Sequence, residues 1–170
     1  WGVFLIEASF AEQTYMAADK RRTELIHRDI YDEQGNVVTP SPVRGYFSSK
    51  YVDPDFIGER TSARPYLIRY SDIALVFAEA AGPNEGLALV NRIRERAGIP
   101  DLPAGMGLEE FRTAVIQERA LELAFEGNRL YDLRRTASVT STVPEASKLS
   151  EEEAAFYPIP QRELDLNPNR

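Results

Sequence analysis

Residues 65–97 read PYLIRYSDIALVFAEAAGPNEGLALVNRIRERA. Proline suits the first turn of a helix, because the N–H it lacks would go unsatisfied there in any case. In residues 66–81 only Arg69, Ser71, Asp72 and Glu79 stand out as charged or polar. The pattern predicts a helix over 66–81, buried around most of its circumference. Gly82-Pro83-Asn84 ends it, and Asn84 can cap a second helix over 85–97 by accepting a free amide of the first turn. Leu87, Val90, Ile93 or Arg94, and Ala97 fall on one stripe of that helix, and Gly98-Ile99-Pro100 stops it. Two helices joined by so short a link run antiparallel, as a hairpin.

The unit recurs downstream. Residues 108–126 predict a long helix in which Phe111, Ala114, Val115, Leu121 and Phe125 recur at three and four, and Gly127 breaks it before a shorter helix over 128–136. Helix pairs of about 33 residues resemble a tetratricopeptide-like stack, although the consensus side chains of that repeat do not line up. Residues 137–150, rich in Ser, Thr and Ala, read as a surface linker. Residues 156–170 are too proline-rich for a helix and too apolar for water, so an extended strap packed back on the protein is expected. Upstream, Glu33-Gln34-Gly35-Asn36, Thr39-Pro40-Ser41-Pro42 and Asp53-Pro54-Asp55 are turn signals between short apolar runs. Residues 23–31 and 36–39 fit a two-stranded ribbon. The expected fold is mainly α: tetratricopeptide-like helical hairpins over 65–170, preceded by a loop-rich region 1–64 with a short β-hairpin and candidate ligand loops.

Composition narrows the function. At 170 residues, 43% hydrophobic and 28% charged with ten glycines, the chain is neither disordered nor collagen-like. Twenty Lys and Arg against 27 Asp and Glu leave a net charge of −7, which argues against nucleic acid and against anionic membrane surfaces as partners. The absence of cysteine removes disulfides, thiolate metal sites and cysteine nucleophiles. With His27 the only histidine, two-His zinc sites and paired Glu-x-x-His di-iron sites cannot be built, and no metal or cofactor is expected. No window approaches the ~20 apolar residues of a membrane-spanning helix. Residues 1–10 form an apolar run with no initiator Met, basic region or cleavage site. The chain is therefore expected to be a fragment or a processed piece of a longer protein.

Glu118, Glu122 and Glu126 follow one another at i+4 and can share a helix face. Paired carboxylates at suitable separation perform glycoside hydrolysis. Arg112, Arg119, Arg129, Arg134 and Arg135 lie nearby in sequence, however, and a guanidinium beside a carboxylate depresses its pKa, which favours a salt-bridge network over a general acid. Arg69, Asp72 and Glu79 form a second polar stripe, expected to reach Arg92, Arg94 or Arg96 on the neighbouring helix. A serine triad would have to recruit His27, and no Gly-x-Ser-x-Gly elbow or Gly-rich phosphate loop occurs. The first 65 residues hold nine of the seventeen aromatics: Trp1, Phe4, Phe10, Tyr15, Tyr31, Tyr46, Phe47, Tyr51 and Phe56. Aromatics beside turns either plug a small core or offer flat faces with polar tips to a ligand such as a sugar ring.

Four ordered motifs carry a family likeness: residues 65–80 (PYLIRYSDIALVFAEA), 90–98 (VNRIRERAG), 118–135 (ERALELAFEGNRLYDLRR), and Tyr157-Pro158-Ile159-Pro160-Gln161 with Asp165-Leu166-Asn167-Pro168-Asn169. Together they resemble the C-terminal half of the SusD/RagB family, and Asp19-Lys20-Arg21 with Ser49-Lys50-Tyr51 resembles the less regular region before it. The resemblance implies a cell-surface lipoprotein of the outer membrane in Bacteroidetes-type bacteria. It would capture a glycan or other nutrient without breaking a bond and deliver it to a SusC-like TonB-dependent transporter. Membrane contact would be only through a lipid anchor in a preceding N-terminal part. The family's glycan platforms lie on variable loops, so no binding residue carries over by motif. Trp1, Tyr46 and Tyr51 are candidate ligand-binding residues from aromatic chemistry alone, with no catalytic residue and no metal. The alternative is a helical-repeat scaffold that binds a protein or peptide on a concave face.

Overall fold

The computed structural model describes residues 8–29, 34–37, 46–51, 53, 55, 57, 60–156 and 159–166. Two short helices, α1 (Ala8–Gln13) and α2 (Lys20–Leu25), precede strand β1 (Ile26–His27), which pairs antiparallel with β2 (Phe47–Ser48). Ile26 stands opposite Ser48 and His27 opposite Phe47. This is a short ribbon, and it differs from the expected strand over 23–31 in that residues 23–25 are helical. Asp19 accepts from the amide of Arg21 and so starts a helix at Lys20, and among the described residues of 23–31 only Ile26 and His27 are strand. Residues 30–33 and 38–39 of the expected ribbon and its turn lie outside the described residues.

Helices α3 (Tyr70–Ala81) and α4 (Pro83–Ala97) form the predicted hairpin with Gly82 as the whole connection. Gly82 holds φ +80°, which side-chain-bearing residues rarely adopt, and Pro83 opens α4 directly. Asn84 therefore lies inside the helix rather than capping it. Helix α3 also begins four residues later than the pattern predicts, because Arg69 stays extended at φ −142° and ψ 163°. Its apolar circumference is only half used. Ala74, Leu75 and Ala78 are buried, whereas Tyr70, Ile73, Val76 and Phe77 are exposed.

Helix α5 (Leu108–Glu122) closes the first core by placing Phe111 and Val115 against Ala74, Leu75 and Ala78 of α3 and Val90 and Ile93 of α4. It stops at Glu122, four residues short of the expected end. Leu123 leaves helical geometry and Phe125 takes φ +68°. A second cluster joins Ala11, Tyr15, Ile26 and Leu121, with Phe10, Tyr46 and Phe125 packed against it. The Tyr15 hydroxyl donates to the Leu121 carbonyl at 2.9 Å, tying the N-terminal helices to the end of α5.

The chain divides into two compact units, Trp1–Gly127 and Asn128–Arg170. The second contains α6 (Arg129–Arg135), α7 (Val139–Thr142), a 3-10 turn at Pro144–Lys148, α8 (Glu151–Ala155) and α9 (Gln161–Leu166). Leu133, Val139, Ala146 and Ala154 form its own small core, so residues 137–150 are folded structure rather than a linker. The alternation of Val139, Val143 and Ala146 among polar residues supplies that apolar side. Ser150 and Glu153 make a reciprocal capping box that starts α8. Part of the expected strap is helical: Pro160 lies just before α9 and Pro168 beyond it, so neither interrupts its interior. No residue of α9 is buried, and Phe156 is exposed. Tyr157, Pro158 and 167–170 lie outside the described residues.

Candidate functional site

The polar centre of the first unit is built on the C-terminal turns of α5. Glu118 and Glu122 are buried there, one turn apart on one face. Glu118 accepts from Arg21 Nη1 at 2.6 Å and from Arg94 Nη1 at 2.8 Å. Arg21 is itself held by Asp19, through Nε at 2.9 Å and Nη2 at 2.7 Å. Glu122 accepts from Arg69 at 2.7 Å, from Arg21 at 3.1 Å and from Arg96. Glu126, beyond the helix, turns back to accept from Lys50 Nζ at 2.7 Å and from Arg69 Nε at 2.7 Å. The extended conformation of Arg69 delivers its guanidinium to both glutamates.

The same cations explain why α5 ends where it does. A helix leaves its last carbonyls without intrahelical partners and carries partial negative charge there. Lys50 Nζ donates to the carbonyls of Glu122 and Ala124 at 2.8 and 3.0 Å, and Arg69 Nη2 donates to that of Glu122 at 2.7 Å. Burial pulls Lys50 below the usual lysine range, and Glu126 opposes that pull. Burial alone would raise Glu122, yet the hydrogen bonds from Arg96 and Arg69 outweigh it and hold the carboxyl at about 2. Arg69 shows the complement: burial opposes its charge, and the bonds to Glu126 and Glu122 hold it above the usual range.

The network is the salt-bridge arrangement the glutamate spacing predicts, but its partners are other arginines. Arg119 pairs with Asp72 at 2.7 Å, Arg112 with Glu109 at 3.1 Å and Arg135 with Asp132 at 2.8 Å. Asp72 therefore reaches Arg119 on α5 instead of Arg92, Arg94 or Arg96 on α4. A glycosidase needs an accessible carboxyl held protonated, and Glu122 is buried and held ionised. His27 Nε2 lies 2.9 Å from Ser49 Oγ, whose own hydroxyl points to the Glu24 carbonyl at 3.1 Å. The serine hydroxyl thus has the Glu24 carbonyl as an acceptor besides the ring nitrogen.

Beside this network a cleft of about 490 Å³ opens between α2, the start of the turn after β2, the segment before α3, and the ends of α4 and α5. Its volume falls within the roughly 300–1,000 Å³ of small-ligand sites. Tyr66 stands on its wall, 48% exposed, with the Tyr51 ring 5.6 Å away at a 40° tilt and the Arg69 guanidinium 5.9 Å from its centroid. Of the candidates from aromatic chemistry, Tyr51 is half-buried beside this wall, its hydroxyl 3.5 Å from the Phe125 carbonyl. Tyr46 packs against the second core cluster and its hydroxyl donates to Glu12 at 2.8 Å. Trp1 lies outside the described residues, as do Phe4, Tyr31 and Phe56. Tyr66 was not among the candidates. It sits within the apolar run read as helix, and only its place ahead of the late start of α3 frees its ring.

No described helix is long and apolar enough to cross a membrane. A sequence model of the SusD family matches residues 12–169. SusD-like protein P2 of Formosa agariphila is 37% identical over 90 residues, 46% of this chain and 18% of that protein. SusD-like protein P38 of the same organism is 32% identical over 114 residues, 60% of this chain and 22% of that protein. The chain thus spans about a fifth of the length of these curated relatives. A SusD homolog of Bacteroides thetaiotaomicron superposes with a TM-score of 0.66 at 28% identity, over 88% of this chain and 39% of the other. A SusD superfamily protein of Parabacteroides distasonis reaches a TM-score of 0.76 over 97% of this chain and 40% of its own, at 22% identity, a likeness of fold alone.

Proposed function

The chain belongs to the SusD family, and from that membership we propose that it is part of a non-catalytic capture protein that takes up a glycan or other nutrient. The reading places it at the surface of the outer membrane of a Bacteroidetes-type cell, carried by a lipid anchor and handing its ligand to a SusC-like TonB-dependent transporter. Membership over 12–169 is the observation that carries it. The state of the glutamates supports it from chemistry: the paired carboxylates that recommended hydrolysis are engaged by arginines and a lysine. A titration calorimetry panel of oligosaccharides tests the capture. Binding heat for at least one glycan, with no new reducing ends after prolonged incubation, is the expected result. No heat for any glycan or nutrient in the panel overturns it. Co-isolation with a co-expressed TonB-dependent transporter from outer membranes tests the delivery step.

A further inference from the structure

We infer that the cleft beside Tyr66 binds a saccharide bearing an anionic substituent, a carboxylate or a sulfate ester, with the sugar ring on Tyr66 and the anion on Lys20 and Arg96. The inference deepens the capture reading and rests on it.

Charge is the first ground. The chain as a whole is at −7, yet this cleft is lined by Lys20, Arg21, Lys50, Arg69 and Arg96 against Glu24, Glu122 and Glu126. With Asp19, Glu118 and Arg94, which complete the network behind the wall, six cations stand against five carboxylates, a local surplus of one positive charge on an acidic protein, and a partly enclosed cleft focuses such a field. Arg21, Lys50 and Arg69 are spent on the buried glutamates. Lys20 and Arg96 are different. Both are exposed, the Lys20 ammonium has no partner among the described residues, and Arg96 spends one Nη on Glu122 while 58% of its side chain remains in solvent. They supply the free donors that a carboxylate or sulfate accepts. The exposed carboxylate of Glu24 also lines the cleft and can accept from a sugar hydroxyl.

Shape is the second ground. The half-exposed ring of Tyr66 is backed by Tyr51 and Arg69, which fix its plane. A rigid aromatic face with a polar tip beside a polar wall suits a ring that is apolar on its faces and hydroxylated at its edge. An inorganic anion would use the cations and leave the tyrosine idle.

Calorimetry on the whole chain tests the inference with tri-galacturonate, a sulfated galacto-oligosaccharide, the neutral trisaccharide of the same length, and inorganic sulfate. An acidic trisaccharide should bind about tenfold tighter than the neutral one. That advantage should shrink between about 20 and about 500 mM NaCl. Lys20→Gln should lower the acidic affinity several-fold and leave the neutral one unchanged, while Tyr66→Ala should weaken both. Lys20 is exposed and Tyr66 half-exposed, and an unchanged circular dichroism melt shows that each variant folds. Equal binding of acidic and neutral sugars, or no effect of either substitution, overturns the inference, as does sulfate alone binding as tightly as the sulfated sugar. If neutral glycans bind and acidic ones do not, this inference falls and the capture reading stands. If none of these saccharides binds, this inference falls, and the capture reading falls with it only when the wider panel of glycans and nutrients also gives no heat.

Discussion

At the scale of single residues, the buried ion pairs behave as a set in which removing one member costs more than the pair contributes. Glu118 has a side chain with no exposure and two guanidinium donors. Glu118→Gln strips the countercharge from Arg21 and Arg94, and breaking a buried pair in this way costs about 3–5 kcal/mol, read as a lower urea midpoint. Glu122 gives the pH dependence. Its folded carboxyl titrates at about 2 against an ordinary 4.5, so the folded state favours the ionised form. The contribution is complete above about 4.5 and is lost as pH falls toward 2, on the order of 3 kcal/mol in all. Acid unfolding followed by circular dichroism should be flatter through that window for Glu122→Gln than for the parent. The glutamate spacing announced the ion pairs. It did not announce Arg21 or Lys50, which lie 97 and 76 residues from the carboxylates they meet and carry no periodic signal of their own.

At the scale of elements, the α3–α4 hairpin is the part most legible in the sequence, because its stop and start signals lie within a turn of the positions they control. Its closeness depends on Gly86. A Cβ there would meet the Ala78 Cα and carbonyl oxygen at 2.7 Å, both backbone atoms that cannot swing away. Ala is favoured over Gly in a helix by up to about 1 kcal/mol, whereas overpacking costs about 1–3 kcal/mol. The clash wins, so Gly86→Ala should lower the calorimetric Tm despite its better propensity. The end of α5 shows the opposite case. Apolar periodicity runs on to Phe125, yet the helix stops at Glu122 because Lys50 and Arg69 take its free carbonyls. Lys50→Met should loosen this turn, read as faster amide exchange at residues 123–126 with the rest of α5 unaffected.

At the scale of the whole molecule, each unit is held by a modest core, and the first carries an unusual apolar face. Tyr70, Ile73, Val76 and Phe77 lie exposed along α3, next to Leu67 and Ile68 at 89% and 75% exposure. A contiguous patch of this kind binds apolar probes. The 170-residue chain should enhance the fluorescence of an apolar dye, and Ile73→Lys with Phe77→Lys should remove most of that signal while shifting stability by no more than about 0.5 kcal/mol. In the second unit, Leu133 is the largest side chain of its small core. Leu133→Ala should cost about 2–5 kcal/mol there, checked by loss of protection in α6 and α7. By itself the sequence determined the helical class, the position of the hairpin and the ion-paired character of the glutamates. All of these follow from composition or from spacing within a turn. Only the tertiary structure decided that Phe47 and Ser48 pair with β1, that α3 leaves one apolar side uncovered, and that Lys20, Arg96 and Tyr66 line one cleft. Those outcomes depend on which distant segments pack together, and packing is set by shape and charge over the whole unit rather than by any local period.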